Sequence, residues 1–192
     1  MIYINKQQEP EFLIEFKKKY PKKDYDSDEF FQYRSVLNES LRREQRGLCA
    51  YCCSRIEQGK SHNEHLEPRH PGTYISKKTL DYTNIVASCN NQNTCGKRRE
   101  NAYNPDKFIV PTNPECENIF DYHLDGIIEG DEYTIDLLNL NDSLLVQARK
   151  SVVKILQQYQ GDKELIKDCF MDETQEDLYP YYNVIKWYYN LL

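Results

Sequence analysis

The 192-residue chain is poor in the two residues that break regular structure, with only seven Gly and eight Pro. That scarcity excludes a collagen-like or linker-rich chain. Nowhere does an apolar run approach the roughly 20 residues that a membrane helix needs. The opening residues Met1-Ile2-Tyr3-Ile4-Asn5-Lys6-Gln7-Gln8 lack a basic stretch followed by an apolar one, so no signal peptide is expected and a cytoplasmic location is. What the chain does have is 39% hydrophobic residues, 29% charged residues and 16 Tyr, a globular and not a disordered composition. Its length suits one domain with a real core, or one domain with a helical appendage.

Seven Cys is an odd number. Without an export signal, clustered cysteines point to metal before disulfides. The net charge of -6 argues against a generally adhesive nucleic-acid binder, but the charge is uneven. Residues 1–41 are nearly balanced, with 7 Lys/Arg against 8 Asp/Glu; residues 42–100 carry 11 against 6, and residues 101–192 carry 7 against 17. The basic segment also holds five of the seven Cys and three of the four His. A basic footprint beside a metal or catalytic cluster is what a nucleic-acid enzyme needs, although solvated basic residues would look the same from charge alone.

Hydrophobic spacing predicts a helix over 11–20, ended by Pro21, and a second from an N-cap at Ser27 to about Arg46, stopped by Gly47. Residues 48–105 read as short strands and loops around metal, closed by a short helix near 93–103. Residues 119–129 read as a hairpin turning at Asp125-Gly126. From Thr134 the chain reads helical, with a stripe of Leu144, Val152, Val153, Ile155 and Leu156 up to Gly161. Further helices are expected over about 162–172 and from Pro180. The aromatics near the end (Tyr179, Tyr181, Tyr182, Trp187, Tyr188, Tyr189) suit core packing and a partner interface equally well.

Cys49-Ala50-Tyr51-Cys52 is a C-x-x-C turn just after a helix stop, and Cys89 and Cys95 follow about forty residues later. Two such pairs supply the four thiolates of a tetrahedral structural zinc site. The second pair is spaced more widely than usual, and Cys53 could replace Cys52, though less naturally. Cys116 and Cys169 stand apart. Between the pairs lies Ser61-His62-Asn63-Glu64-His65-Leu66-Glu67-Pro68-Arg69-His70. On a strand Glu64 and His65 would face opposite ways, but a distorted strand end can bring both to one site. His62 and His70 read as surface histidines.

The order C-x-x-C, Glu-His-x-x-Pro, Asn84-Ile85, Cys89 and Cys95-Gly-Lys-Arg-Arg resembles the HNH endonucleases of the ββα-metal fold. The likeness implies an α+β protein. Its ββα-metal core with a cysteine zinc knuckle would span 48–112, N-terminal helices 1–47, and a hairpin with C-terminal helices, suited to docking a partner, 113–192. It further implies Glu64 as ligand of a catalytic Mg²⁺ or Mn²⁺, His65 as general base and Asn84 as the residue that orients the base and its loop. Lys97, Arg98 and Arg99 would contact nucleic-acid backbone. The family commonly places a metal-binding His directly after the final zinc Cys, whereas here stands Gly96. Asn93, nine residues beyond Asn84, is the first candidate for the missing ligand; Asn90, Asn91 and Asn101 are alternatives.

Together with the stretch from Asp125-Gly126-Ile127-Ile128 to Thr134-Ile135-Asp136-Leu137-Leu138-Asn139-Leu140-Asn141 and Arg149, the pattern is similar to the PtuB family. These are HNH partners of the PtuA ATPase in Septu antiphage systems and in some retrons. That resemblance implies a toxic defence effector cutting DNA or RNA, in complex with a PtuA-like ATPase and, in a retron, a reverse transcriptase and its msDNA. Two alternatives stay open: a zinc-braced nucleic-acid-binding module without catalysis, and an interaction subunit whose cluster is purely structural.

Overall fold

The computed structural model describes residues 1–72 and 74–192. These form a mixed α and β structure with two separate two-stranded antiparallel sheets. At the N-terminus, α1 (Glu11–Lys19) buries Leu13 and Phe16. The long helix expected over 27–46 is divided into α2 (Asp28–Phe31) and α3 (Arg34–Glu44). Ser27 does not cap with its side chain. Its hydroxyl instead turns back to the Asp24 carbonyl. The Tyr33 amide bonds the Phe30 carbonyl (2.9 Å), an i to i-3 bond that tightens the chain and re-aims α3. Phe16, Phe30 and Tyr33 pack together there, Phe16 edge-on to Phe30 at 4.9 Å.

The first sheet pairs β1 (Ser61–His65) with β2 (Ile85–Cys89), Glu64 opposite Val86 and His65 opposite Ile85. A single 3₁₀ turn, Tyr82–Asn84, leads into β2. The Gln45 side chain, at the end of α3, completes the free edge of β2: it accepts from the Ala87 amide (2.6 Å) and donates to the Ala87 carbonyl (2.8 Å). The helix expected near 93–103 is only α4 (Cys95–Arg99), because Glu100 takes a left-handed conformation (φ 52°) and turns the chain away.

After α5 (Cys116–Ile119), β3 (Asp121–Tyr122) and β4 (Ile128–Glu129) form the hairpin around Asp125-Gly126. The remaining helices are α6 (Glu132–Leu138), α7 (Ser143–Gln157), α8 (Lys163–Phe170) and α9 (Tyr182–Leu191). Left-handed Asn139 separates α6 from α7, and Asp142 restarts the helix by accepting from the Leu144 amide. That start point fixes the buried face of α7 as Leu145, Arg149, Val152, Val153 and Leu156. Leu144 and Ile155, expected in the stripe, are exposed. Helix α9 begins beyond Pro180 because Tyr181 is left-handed (φ 57°), its amide held by the Cys53 carbonyl at 2.7 Å. Of the terminal aromatics, Tyr182 and Tyr188 are core residues, whereas Tyr179 is exposed. No described helix is long and apolar enough to cross a membrane.

Hydrogen bonds cross the boundary expected near residue 112. The Ile109 amide bonds the Thr134 hydroxyl (2.9 Å), and the Asn139 side chain donates to the Asn93 carbonyl (3.0 Å). Buried Arg149 ties α7 to the hairpin, donating to the carbonyls of Gly126 (2.6 Å) and Leu140 (2.8 Å). Gly126 has φ 92°, and a Cβ there would lie 2.2 Å from the Val146 carbonyl oxygen. Gly126→Ala is therefore expected to destabilise the chain by at least about 1–3 kcal/mol, the usual range for a non-glycine residue forced into such a conformation. Urea denaturation compared with the unsubstituted chain checks this.

Candidate functional site

Three segments meet at the cysteines. The turn after α3 carries Cys49 and Cys52, β2 ends on Cys89, and α4 starts on Cys95. The four sulfur atoms all lie within 4.8 Å of one another. The Cys89 amide points at the Cys49 sulfur (3.3 Å), a bond that favours thiolate over thiol. Burial opposes ionisation of Cys49, but hydrogen bonds from the other three thiols outweigh it and hold Cys49 well below the usual thiol range. Hydrogen bonding to Cys49 in turn pushes Cys52 and Cys95 well up. Four converging sulfurs, three on buried cysteines and one on half-buried Cys89, cannot all ionise alone and are a donor set for a soft or borderline cation such as zinc. Cys53 is buried but lies outside this set.

Beside the cysteines, a cleft of about 580 Å³ opens at the end of β1. Its lining includes His62, Glu64, His65, Arg69, Gly96 and Lys97. His65 is 5% exposed, and its Nε2 lies 2.9 Å from the Thr79 carbonyl oxygen. A carbonyl can only accept, so Nε2 carries the proton and Nδ1 keeps the lone pair. Tyr25 packs edge-on against the ring, at 4.7 Å between centroids. Burial lowers the His65 pKa to about 4, so the ring is neutral at physiological pH.

Asn84 braces the surrounding loops. Its side-chain oxygen accepts from the Glu67 amide (2.8 Å), and its nitrogen donates to the carbonyls of Glu67 (3.0 Å) and Lys78 (3.2 Å). Lys78 precedes the residue whose carbonyl holds His65. Asn84 thus fixes both the segment after His65 and the one that sets its tautomer, without touching the imidazole.

Glu64 is nearly buried. Burial alone would raise its pKa, but His62 and Arg99 outweigh that and hold the carboxyl below its ordinary range. Arg99 corrects an expectation. It does not face a nucleic-acid backbone: it is 1% exposed, bonds Glu64 Oε1 through Nε (3.0 Å) and again through Nη2, and donates to the Leu66 carbonyl (2.8 Å). The reason is geometric. Arg99 lies four residues after Cys95 and shares its inward face, where buried Glu64 needs a countercharge. Lys97 and Arg98 remain exposed, and Lys97 lines the cleft.

Asn93, the first candidate for the missing ligand, is not brought to the cleft. It is exposed at the turn before α4, its amide bonds the Asn91 side chain and its carbonyl accepts from Asn139. Asn101 does line the cleft. His62, expected at the surface, is half-enclosed, with Nε2 3.4 Å from Glu64 Oε2 and Nδ1 3.1 Å from Asn90 Oδ1. Its position two residues before Glu64 on a strand was the available signal, since such neighbours share a face. Arg34, Arg69 and Asp26 also line the cleft. Their contribution could not be read from spacing, because Arg34 and Asp26 belong to the N-terminal helical region.

No protein-family model matches the chain. A curated protein from Vibrio cholerae serotype O1 biovar El Tor, named as the proposed HNH endonuclease of retron Vc95, is 28% identical to it over 149 residues, covering 69% of this chain and 71% of the relative. The chain is thus similar, over about two thirds of its length, to a retron-associated protein of the HNH endonuclease type.

Two measurements test the site. Metal analysis of the purified chain is expected to find one zinc per chain, lost in Cys95→Ser together with a lower melting temperature. Arg99→Met leaves Glu64 buried without its partner and is expected to cost about 3–5 kcal/mol in chemical denaturation, as for other broken buried ion pairs.

Proposed function

We propose that this chain is a metal-dependent HNH endonuclease that hydrolyses nucleic-acid phosphodiester bonds as the toxic effector of a prokaryotic antiphage system of Septu or retron type. One observation carries this reading: a neutral, carbonyl-held His65 lies in one cleft with a fixed carboxylate, Glu64, at the end of a two-stranded sheet that a four-cysteine cluster joins to α4. On this reading β1, β2 and α4 are the ββα-metal core and the cysteines its zinc knuckle.

His65 Nδ1 has the free lone pair and takes the proton of the attacking water, a contribution worth about 10²–10⁴ in rate for a well-placed general base. Thr79, through its carbonyl, stabilises the resulting imidazolium. Asn84 keeps the two loops in register during that transfer. Glu64 fits a hard cation: Arg99 occupies Oε1, which leaves Oε2 for a Mg²⁺ or Mn²⁺. Such an ion, when bound, would neutralise charge on the phosphate and on the departing oxygen. Lys97, Arg98 and Arg69 supply positive charge at or beside the cleft, which positions the backbone without reading sequence.

The retron named for the relative supports a defence setting. A PtuA-like ATPase, and in a retron the reverse transcriptase with its msDNA, are the partners this reading assigns. The acidic C-terminal region suits protein docking better than nucleic acid. The test incubates the chain, alone and with these partners, with labelled DNA and with RNA in Mg²⁺ or Mn²⁺. His65→Ala is expected to lose at least about a hundredfold in cleavage rate, with zinc content kept and a lower melting temperature from the vacated ring site. Equal cleavage by both proteins would remove His65 as the base. Nucleic-acid binding without cleavage in either metal would instead favour the zinc-braced binding module.

A further inference from the structure

Position 96, at the start of α4, carries no side chain. A Cβ built there would lie 2.5 Å from Glu64 Oε2 and 2.9 Å from His62 Nε2, so these two side chains fill the space that a residue at 96 would occupy. Both project from the same face of β1, as residues two apart on a strand must. Their meeting has an unusual chemistry. His62 Nδ1 lies 3.1 Å from Asn90 Oδ1, which can accept a proton from it. The other ring nitrogen, Nε2, faces Glu64 Oε2 at 3.4 Å, the carboxylate oxygen that Arg99 leaves unused. A ring nitrogen and a carboxylate oxygen that converge in this way can share a cation, either a proton or a metal ion. A histidine whose far ring nitrogen donates to a fixed oxygen is also the usual arrangement for a metal-binding imidazole.

We propose that His62 Nε2 and Glu64 Oε2 together bind the divalent cation of the cleft, His62 supplying from β1 the ligand that position 96 on α4 lacks. The inference rests on the nuclease reading and deepens it. Water and substrate oxygens complete the coordination on the cleft side. Because imidazole suits transition-metal ions and Mg²⁺ prefers all-oxygen sites, the site selects Mn²⁺ over Mg²⁺.

The test uses the full chain with its cysteine site loaded with zinc. Mn²⁺ is titrated and followed by electron paramagnetic resonance, with pulsed measurements of coupling to histidine nitrogen. The unsubstituted chain is expected to bind one Mn²⁺, more tightly than Mg²⁺, with a directly coordinated nitrogen whose signal changes on ¹⁵N-histidine labelling. His62→Ala should remove that coupling and weaken Mn²⁺ at least tenfold, with zinc content unchanged. His70→Ala, the control, should alter neither.

Absence of histidine coupling in the unsubstituted chain overturns the inference without recourse to any variant. So does unchanged Mn²⁺ affinity in His62→Ala, the result if a proton alone bridges His62 and Glu64. If cleavage in Mn²⁺ survives either result, the nuclease reading stands and only the His62 assignment falls. If the unsubstituted chain neither binds Mn²⁺ nor cleaves, the nuclease reading falls with it.

Discussion

Four sulfur atoms brought within 4.8 Å of one another are the constraint on which the site depends. They come from the turn after α3, the end of β2 and the start of α4, three segments also linked by the Ala50 amide to the Ala87 carbonyl (3.1 Å) and the Gly96 amide to the Ser88 hydroxyl (3.3 Å). The β1–β2 sheet has two short strands, too few to be stable alone. Helix α4 is five residues long, well below the length at which an isolated helix persists in water. A cation on the sulfurs would turn these marginal pieces into one rigid unit, and metal-binding free energy would there become folding free energy. Gln45 adds a second brace by closing the edge of β2 from α3.

The rest of the site follows from one buried carboxylate. Glu64 is tolerable in the interior because His62 and Arg99 answer its charge, and Arg99 reaches it from the helix that Cys95 starts four residues earlier. The same guanidinium binds the His65 and Leu66 carbonyls, so the segment carrying the imidazole is fixed by the group that neutralises its neighbour. Asn84 completes the frame from the β2 side. The cysteine cluster, Glu64 and His65 therefore form one mechanical chain. Disturbing the cysteines should be felt at the imidazole, although no cysteine touches it.

Local signals made the elements and the cluster legible in the sequence. The C-x-x-C turn, the Cys89/Cys95 pair and the Asp125-Gly126 hairpin depend on short-range geometry, and the structure places them as expected. Breaks were harder to see. The kink after α2, Asn139 and Tyr181 arise where a non-glycine residue or an i to i-3 bond is stabilised by tertiary contacts, and no residue type announces them. Arg99 was misassigned for a similar reason. In the run Lys97-Arg98-Arg99 all three are cations, and only the phase set by Cys95 shows that the third points inward. Asn93 was chosen by interval from Asn84, but the insertion before Cys95 shifts the phase and leaves it facing solvent and Asn139.

At Gly96 the start of α4 meets the Glu64 and His62 side chains of β1. A helix position that loses its side chain leaves a void unless something fills it, and a polar void beside a buried carboxylate is costly. Here β1 fills it with His62. A methyl group at position 96 would approach Glu64 Oε2 to 2.5 Å and His62 Nε2 to 2.9 Å, so both side chains would have to shift. Glycine on the helix and histidine on the strand are thus two halves of one arrangement, and neither is intelligible alone. On the proposed assignment, a ligand on the strand would also have a mechanical advantage over one on a five-residue helix. Its orientation is set by the pairing of β1 with β2 and by Asn90, both independent of how α4 ends. Read only as a spacing pattern, Gly96 is a missing residue; read with its neighbours, it is the clearance that His62 requires.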